Sequence, residues 1–343
     1  MRPFKKVCLF ILLMATLKTY AQIPVINMLD SGRKTSLRGL SVVNDNVLWA
    51  SGSNGTVVRS TDGGKTFEWQ IVQGYEQRDF RDIEAFDANT AIIMAVAEPA
   101  IILKTKDAGK TWKKVFEDTT KGMFLDAMDF YDLYSKKIGF VVGDPINNIF
   151  YFAVTNDGGE TWKSTNEKLK AFDKEGFFAS SGTNVKFQKS DSDSEMNVVA
   201  VTGGTYSRLL YKGLSFKIPG LIYGKESQGA NSIAVNRTNR NAVIVGGDFA
   251  NDKDTTGNCV TLTLNKQTEF KKPQTPPHGY RSCVEYITKD KLITCGTSGI
   301  DISNDGGMNW TLISTQSFHV CQKAKKGSKV FLAGANGKIG VLE

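Results

Sequence analysis

The sequence predicts an all-β chain folded as a seven-bladed β-propeller of four-stranded antiparallel blades, on three observations. A short Asp-Gly motif recurs four times, short β-branched runs flank its copies, and the spacing leaves room for seven units. The copies are Ser60–Phe67, Thr105–Trp112, Thr155–Trp162 and Ser303–Trp310, read in full in the first as Ser-Thr-Asp-Gly-Gly-Lys-Thr-Phe. Successive steps are 45, 50 and 148 residues; the last is close to three steps and implies two intervening units with a degraded motif. In each copy Asp62, Asp107, Asp157 or Asp305 is placed to accept hydrogen bonds from the amides of a tight turn. Glycine supplies the positive φ that such a turn requires. The aromatic residue that follows, Phe67, Trp112, Trp162 or Trp310, is expected to pack into the sheet. These eight residues are read as scaffold.

The strands follow in order. Val47–Ala50 and Thr56–Arg59 flank the Gly-rich turn 51–55 of the first unit; Ala91–Val96 with Ala100–Lys104, and Ile138–Val142 with Phe150–Val154, repeat the pattern. Units four and five keep strands in Arg208–Phe216 and Cys259–Phe270 without the motif. Inner strands are expected to open near Arg38, Arg81, Asp126, Val185, Ser232, Arg281 and His319, seven units of about 46 residues. The last unit, residues 319–343, holds only three strands. Ile23–Asp30 is expected to supply its outer strand, closing the ring and removing an open edge.

Composition narrows the function. Of 343 residues 23% are charged and 41% hydrophobic, with 33 Gly and 8 Pro, a globular balance that excludes collagen, long disorder and a disulfide miniprotein. Residues 1–21 combine Arg2, Lys5 and Lys6 with an apolar run from Val7 to Leu17 and small residues at Thr19 and Ala21. That layout reads as a secretory signal cleaved near Ala21, because the run is too short to span a roughly 30 Å hydrocarbon core. Residues 22–343 are then one propeller, exported to the periplasm or beyond the cell, without a transmembrane segment and expected to be a monomer. Without the leader the formal charge falls from +8 to +4, and no dense Lys/Arg run remains, so nucleic acid is excluded as a partner. Cys259, Cys283, Cys295 and Cys321 contain no CxxC pair, so no metal site is expected. Export permits disulfides and burial suits free thiols; the spacing leaves both open. No nucleotide or haem motif is present, so no cofactor is expected and a propeller oxidoreductase is disfavoured.

The four motif copies resemble the Asp-box (BNR) repeats of sialidase-like propellers. The seven-unit count, together with the openings Leu37-Arg38-Gly39-Leu40 and Phe80-Arg81-Asp82-Ile83, resembles the photosystem II stability/assembly factor family and its secreted relatives in non-photosynthetic bacteria. That resemblance implies a scaffold that binds a protein on one face of a rigid disc. The sialidase likeness implies instead a glycoside hydrolase, with Glu98, Asp144 and Glu175 as acid/base candidates. Against hydrolysis, an Arg-Ile-Pro segment is missing from the first unit, where Leu37-Arg38-Gly39 stands.

Either ligand would sit opposite the Asp turns. In an up-and-down blade, turns between second and third strands share a face with the openings of the inner strands. Arg38, Arg81, Arg281 and His319 would form a cationic arc there, with Asp248, Asn231 and Tyr280 beside it. Converging guanidinium groups suit a carboxylate or phosphate, so the expected partner is an envelope or extracellular protein, or an anionic ligand. The plainer reading is that these residues pair with one another across blades, as Arg81 would with Asp82.

Overall fold

Tight turns reverse the chain every few residues, so strands adjacent in sequence pair antiparallel. Lys212 and Gly213 show the device plainly: both take positive φ between Arg208–Tyr211 and Leu214–Lys217, as a two-residue hairpin requires. A computed structural model describes residues 24–133, 136–189, 196–236, 238–265 and 268–343, and every regular element in them is a strand. The expected leader, residues 1–21, lies outside the described residues.

Among the described residues this gives seven sheets, each a four-stranded blade and one of them extended to six strands. Blade 1 is Leu37–Val42, Leu48–Gly52, Thr56–Ser60 and Glu68–Ile71; blade 2 is Phe80–Ala85, Ala91–Ala95, Ala100–Thr105 and Lys113–Asp118. Blade 3 is Leu125–Leu133, Lys136–Ile146, Ile149–Thr155 and Lys163–Ser164; blade 4 is Val185–Lys189, Met196–Val201, Arg208–Tyr211 and Leu214–Lys217. Blade 5 is Gln228–Val235, Asn241–Asp248, Cys259–Thr263 and Phe270–Lys271, extended by the short pair Glu175–Gly176 and Gly203–Gly204. Blade 6 is Cys283–Tyr286, Leu292–Gly296, Gly299–Ser303 and Trp310–Ser314. Blade 7 is Val320–Lys323, Val330–Ala333 and Ile339–Leu342, completed by the N-terminal strand Ile26–Asp30. Inner strands touch in the order of the blades, and the first meets the last, so the ring closes.

The core lies between blades. Trp49, Phe80 and Ile93 fill the first interface, Ile92, Met94 and Val141 the second, and Val199, Ile233 and Val260 the interface of blades 4 and 5. Second and third strands are accordingly buried at almost every position, as in Ala91–Ala95 and Ala100–Thr105, while outer strands such as Lys113–Asp118 face water. Cys259, Cys283, Cys295 and Cys321 are buried free thiols in these layers.

The repeated Asp turns hold the blade ends. Asp157 Oδ1 accepts the Glu160 and Thr161 amides, both at 3.0 Å, and its Oδ2 accepts the Thr161 hydroxyl at 2.6 Å. The Thr155 hydroxyl accepts the Gly159 amide at 2.9 Å, and Ser60, Thr105 and Ser303 do the same in their blades. Burial draws the Asp157 carboxyl up, but these donors outweigh it and leave it at about 2. Phe67, Trp112, Trp162 and Trp310 pack against the interblade layers. Asp157→Ala is therefore expected to cost about 1–3 kcal/mol, read by thermal or urea unfolding, and to leave binding at the opposite face intact. Lost binding at unchanged stability would contradict the scaffold role.

Candidate functional site

The Asp turns define one face of the disc. Amides of Gly63, Ala108 and Gly306 donate to Asn46, Asn89 and Asp290 in the first-to-second turns of their own blades, and that of Gly158 to Lys137 at the start of the second strand of blade 3. The second-to-third turns and the inner-strand openings therefore occupy the other face, where the candidate residues were expected.

A repeated irregularity aims side chains there. In blade 1 Leu37 pairs with Gly52 and Gly39 with Ser51, leaving Arg38 as an extra, unpaired residue. The same break isolates Arg81 in blade 2, Asp126 in blade 3 and Asn231 in blade 5. A bulge of this kind re-aims one side chain, and here it does so at the same level of four inner strands.

Arg38, Arg81, His319, Tyr280 and Asn231 come together. Arg38 reaches across the ring to the Ser180 carbonyl at 3.2 Å, and burial, then the nearby Arg81 charge, holds its guanidinium below the ordinary arginine range. Arg81 pairs with Asp79 at 2.7 Å rather than with Asp82, the partner considered from sequence. His319 faces the Ser36 hydroxyl at 3.2 Å; burial, reinforced by Arg38 and Arg81, pushes its imidazole down to about 3, so it stays neutral. Tyr280 donates to Asn231 Oδ1 at 2.8 Å, and burial pushes its phenol up to about 12.

The remaining candidates are placed differently. Arg281 does not join the arc: it is fully buried and turned onto Asp301 of its own blade, Nε to Oδ2 at 2.8 Å. Glu175 is locked in a two-pronged pair with Arg208, both contacts at 2.7 Å, and also accepts the Phe172 amide and the Thr202 hydroxyl. Glu98 accepts the Gly122 amide from the next blade connection. Asp248 is held by Gln228 and the Ala250 amide, which outweigh its burial and keep it below the usual carboxylate range. Asp144 accepts the Phe177 amide at 3.0 Å and is raised to about 6 by burial.

Two features were not anticipated. The connection from blade 3 to blade 4 dips into the central channel and plugs it. Along it the Ser181 hydroxyl donates to the Ser282 carbonyl, Thr183 meets Ser232, and Gly182 lies so close to the Asp82 carboxylate that a Cβ there would come within 2.4 Å. Cavities of about 520 and 600 Å³ lie to either side, the first lined by Phe178 and Ala179 and the second by Gly182. The other feature is Asp126, fully buried yet lining the 520 Å³ cavity with Arg81 and Asp144. Its position in the repeat, level with Arg38 and Arg81, was the signal that would have found it.

The family model described as photosynthesis system II assembly factor YCF48 matches residues 27–122. A solved structure of YCF48 bound to D1 peptide superposes with a TM-score of 0.62 at 16% identity, covering 94% of this chain and 95% of that one. YCF48 from Cyanidioschyzon merolae gives a TM-score of 0.61 at 16% identity, covering 93% and 98%. No curated protein matches the chain. The chain is a seven-bladed propeller similar to the photosystem II assembly factors.

Proposed function

We propose that this chain is an exported, monomeric, non-catalytic scaffold that holds an extended protein segment on the face opposite the Asp turns. Arg38 and Arg81 take a carboxylate of that segment. The observation that carries this reading is the common bulge, which spends regular pairing in four inner strands to aim polar side chains at one level. The similar propeller with a D1 peptide bound supports a peptide as the kind of ligand such a disc takes. Export rests on the sequence of residues 1–21.

Hydrolysis is less well supported, because two of the three carboxylates proposed for it are committed elsewhere. Glu175 neutralises Arg208, and Glu98 ties a loop. Affinity capture from the native envelope fraction, run beside a panel of chromogenic glycosides, tests the proposal. The expected result is a specific protein retained by the wild-type chain and reduced at least tenfold by Arg38→Ala/Arg81→Ala at unchanged melting temperature, with no glycoside turned over. Capture should also weaken with salt, since exposed charges are screened over about 8–10 Å near physiological ionic strength. Turnover dependent on Asp144 would overturn the reading.

A further inference from the structure

Beside the arginine pair, the 520 Å³ cavity carries the opposite charge. Each basic group that lines it has an acid beside it: Asp79 accepts from Arg81 Nε at 2.7 Å, which leaves the other nitrogens of that fork for the carboxylate proposed above, and Glu226 holds Lys174 at 2.6 Å. The Glu175 carboxylate is matched by Arg208. Two acids are left over. Asp144 faces the cavity with one oxygen on the Phe177 amide, and Gly176 makes room for it, since a Cβ there would come within 2.5 Å of Oδ1. Asp126 is completely buried, and neither of its carboxyl oxygens has a hydrogen-bond partner. A buried carboxyl without a close donor is costly, and the Arg81 charge and the amides of Ala179 and Asp144 near it offset only part of that cost. The walls are aromatic: Phe124, Phe172, Phe177 and Phe178 line the cavity, and Phe172 is half exposed, tilted against Tyr206 and with the Arg208 guanidinium over its ring.

We propose that this cavity receives an arginine side chain of a bound protein, its guanidinium neutralising Asp144 and donating to Asp126 between the phenylalanine walls. A planar guanidinium matches a pair of carboxyls through its fork of donors, and its flat faces suit aromatic rings, so it fits better than a compact ammonium. The segment held here thus carries both signs: a carboxylate for Arg38 and Arg81, and an arginine for the cavity. Only the source of the arginine rests on the function proposed above.

In the free chain burial, then repulsion from Asp144, holds the Asp126 carboxyl well above its ordinary range against the pull of the Arg81 charge and the Ala179 and Asp144 amides, while burial raises Asp144 to about 6. The incoming cation meets Asp144 as a carboxylate above that pH and as a neutral acid below it, so affinity rises with pH. The other groups facing the cavity, Arg81, Lys174, Glu175 and Glu226, are held in the pairs given above, and His319 nearby titrates only at about 3.

The test is calorimetric titration of the mature full-length chain with the blocked peptide acetyl-Gly-Arg-Gly-amide, beside its citrulline isostere. Both ends are capped, so the peptide has no carboxylate, and its failure is distinguishable from failure of the arginine pair. The expected result is binding of the arginine peptide at least tenfold tighter than the citrulline one, and roughly tenfold tighter at pH 7 than at pH 5. Asp144→Asn should abolish that preference at an unchanged melting temperature. Equal affinity for the two peptides, or a preference that survives Asp144→Asn, would overturn the proposal.

Discussion

Arg281→Ala is expected to cost about 3–5 kcal/mol, the loss that follows when one partner of a buried ion pair is removed. Arg281 and Asp301 are both fully buried. The guanidinium donates to Asp301, to the carbonyls of Tyr280 at 2.8 Å and His278 at 3.0 Å, and to the Ser298 hydroxyl at 2.7 Å. Truncation strands the Asp301 carboxylate with only His278 beside it, Nδ1 to Oδ1 at 2.6 Å, and strips two carbonyls of a donor. For a chain of this size that corresponds to a fall of roughly 4–7 °C in melting temperature. The double replacement Arg281→Met/Asp301→Leu should recover much of the loss, because a buried pair exchanged for apolar side chains of similar volume is often neutral or stabilising. Calorimetric melting of the two variants checks both statements. A stable Arg281→Ala chain that had lost partner binding would instead return Arg281 to the binding face.

Removal of residues 22–30 is expected to be at least as damaging. Ile26, Asn27, Met28 and Asp30 pair with Leu342, Val341, Gly340 and Ile339, and Val25 exchanges both backbone hydrogen bonds with Glu343. Asp30 also accepts the Trp69 indole N–H at 2.9 Å, and Arg33 lies over the same ring, tying the closure to blade 1. Without the strand, the apolar run Ile339–Leu342 becomes an open sheet edge and Trp69 loses its acceptor. The truncated chain should melt at least about 10 °C lower and associate as its concentration rises. A synthetic peptide spanning Gln22–Asp30, added in trans, should restore part of the loss by pairing with the edge. A truncated chain that melts like the full one would show that the N-terminal strand is dispensable.

The fold was legible because its chemistry is local. A Ser or Thr, an Asp two residues on, and two residues of positive φ, both glycine except Ala108 in blade 2, make a turn whose hydrogen bonds lie within five residues, so it reads alike in blades 1, 2, 3 and 6. The closing strand was legible because blade 7 was one strand short. The site was harder to read, because its decisive pairings span the ring. Arg38 and Arg281 open their inner strands alike in sequence, yet a bulge turns Arg38 into the channel, while Asp301, twenty residues downstream of Arg281, draws the other guanidinium into the blade. Glu175 looked like a free acid because Arg208, 33 residues away, is brought against it only by folding. The plug at Ser180–Asn184 left no mark beyond a long connection between blades, since its partners Asp82, Ser232 and Ser282 come from three different blades. Asp126 lay in plain sight at the level of Arg38 and Arg81, with a different charge.

The central claim is that the face opposite the Asp turns holds a protein segment, and amide hydrogen exchange on the captured complex tests it most directly. The connections 72–79, 119–124, 172–184 and 218–227 should gain protection on binding, together with the openings at Arg38 and Arg81. The Asp turns at 62–66, 107–111, 157–161 and 305–309 should exchange as in the free chain. Protection confined to the Asp turns, with the opposite face unchanged, would contradict the account.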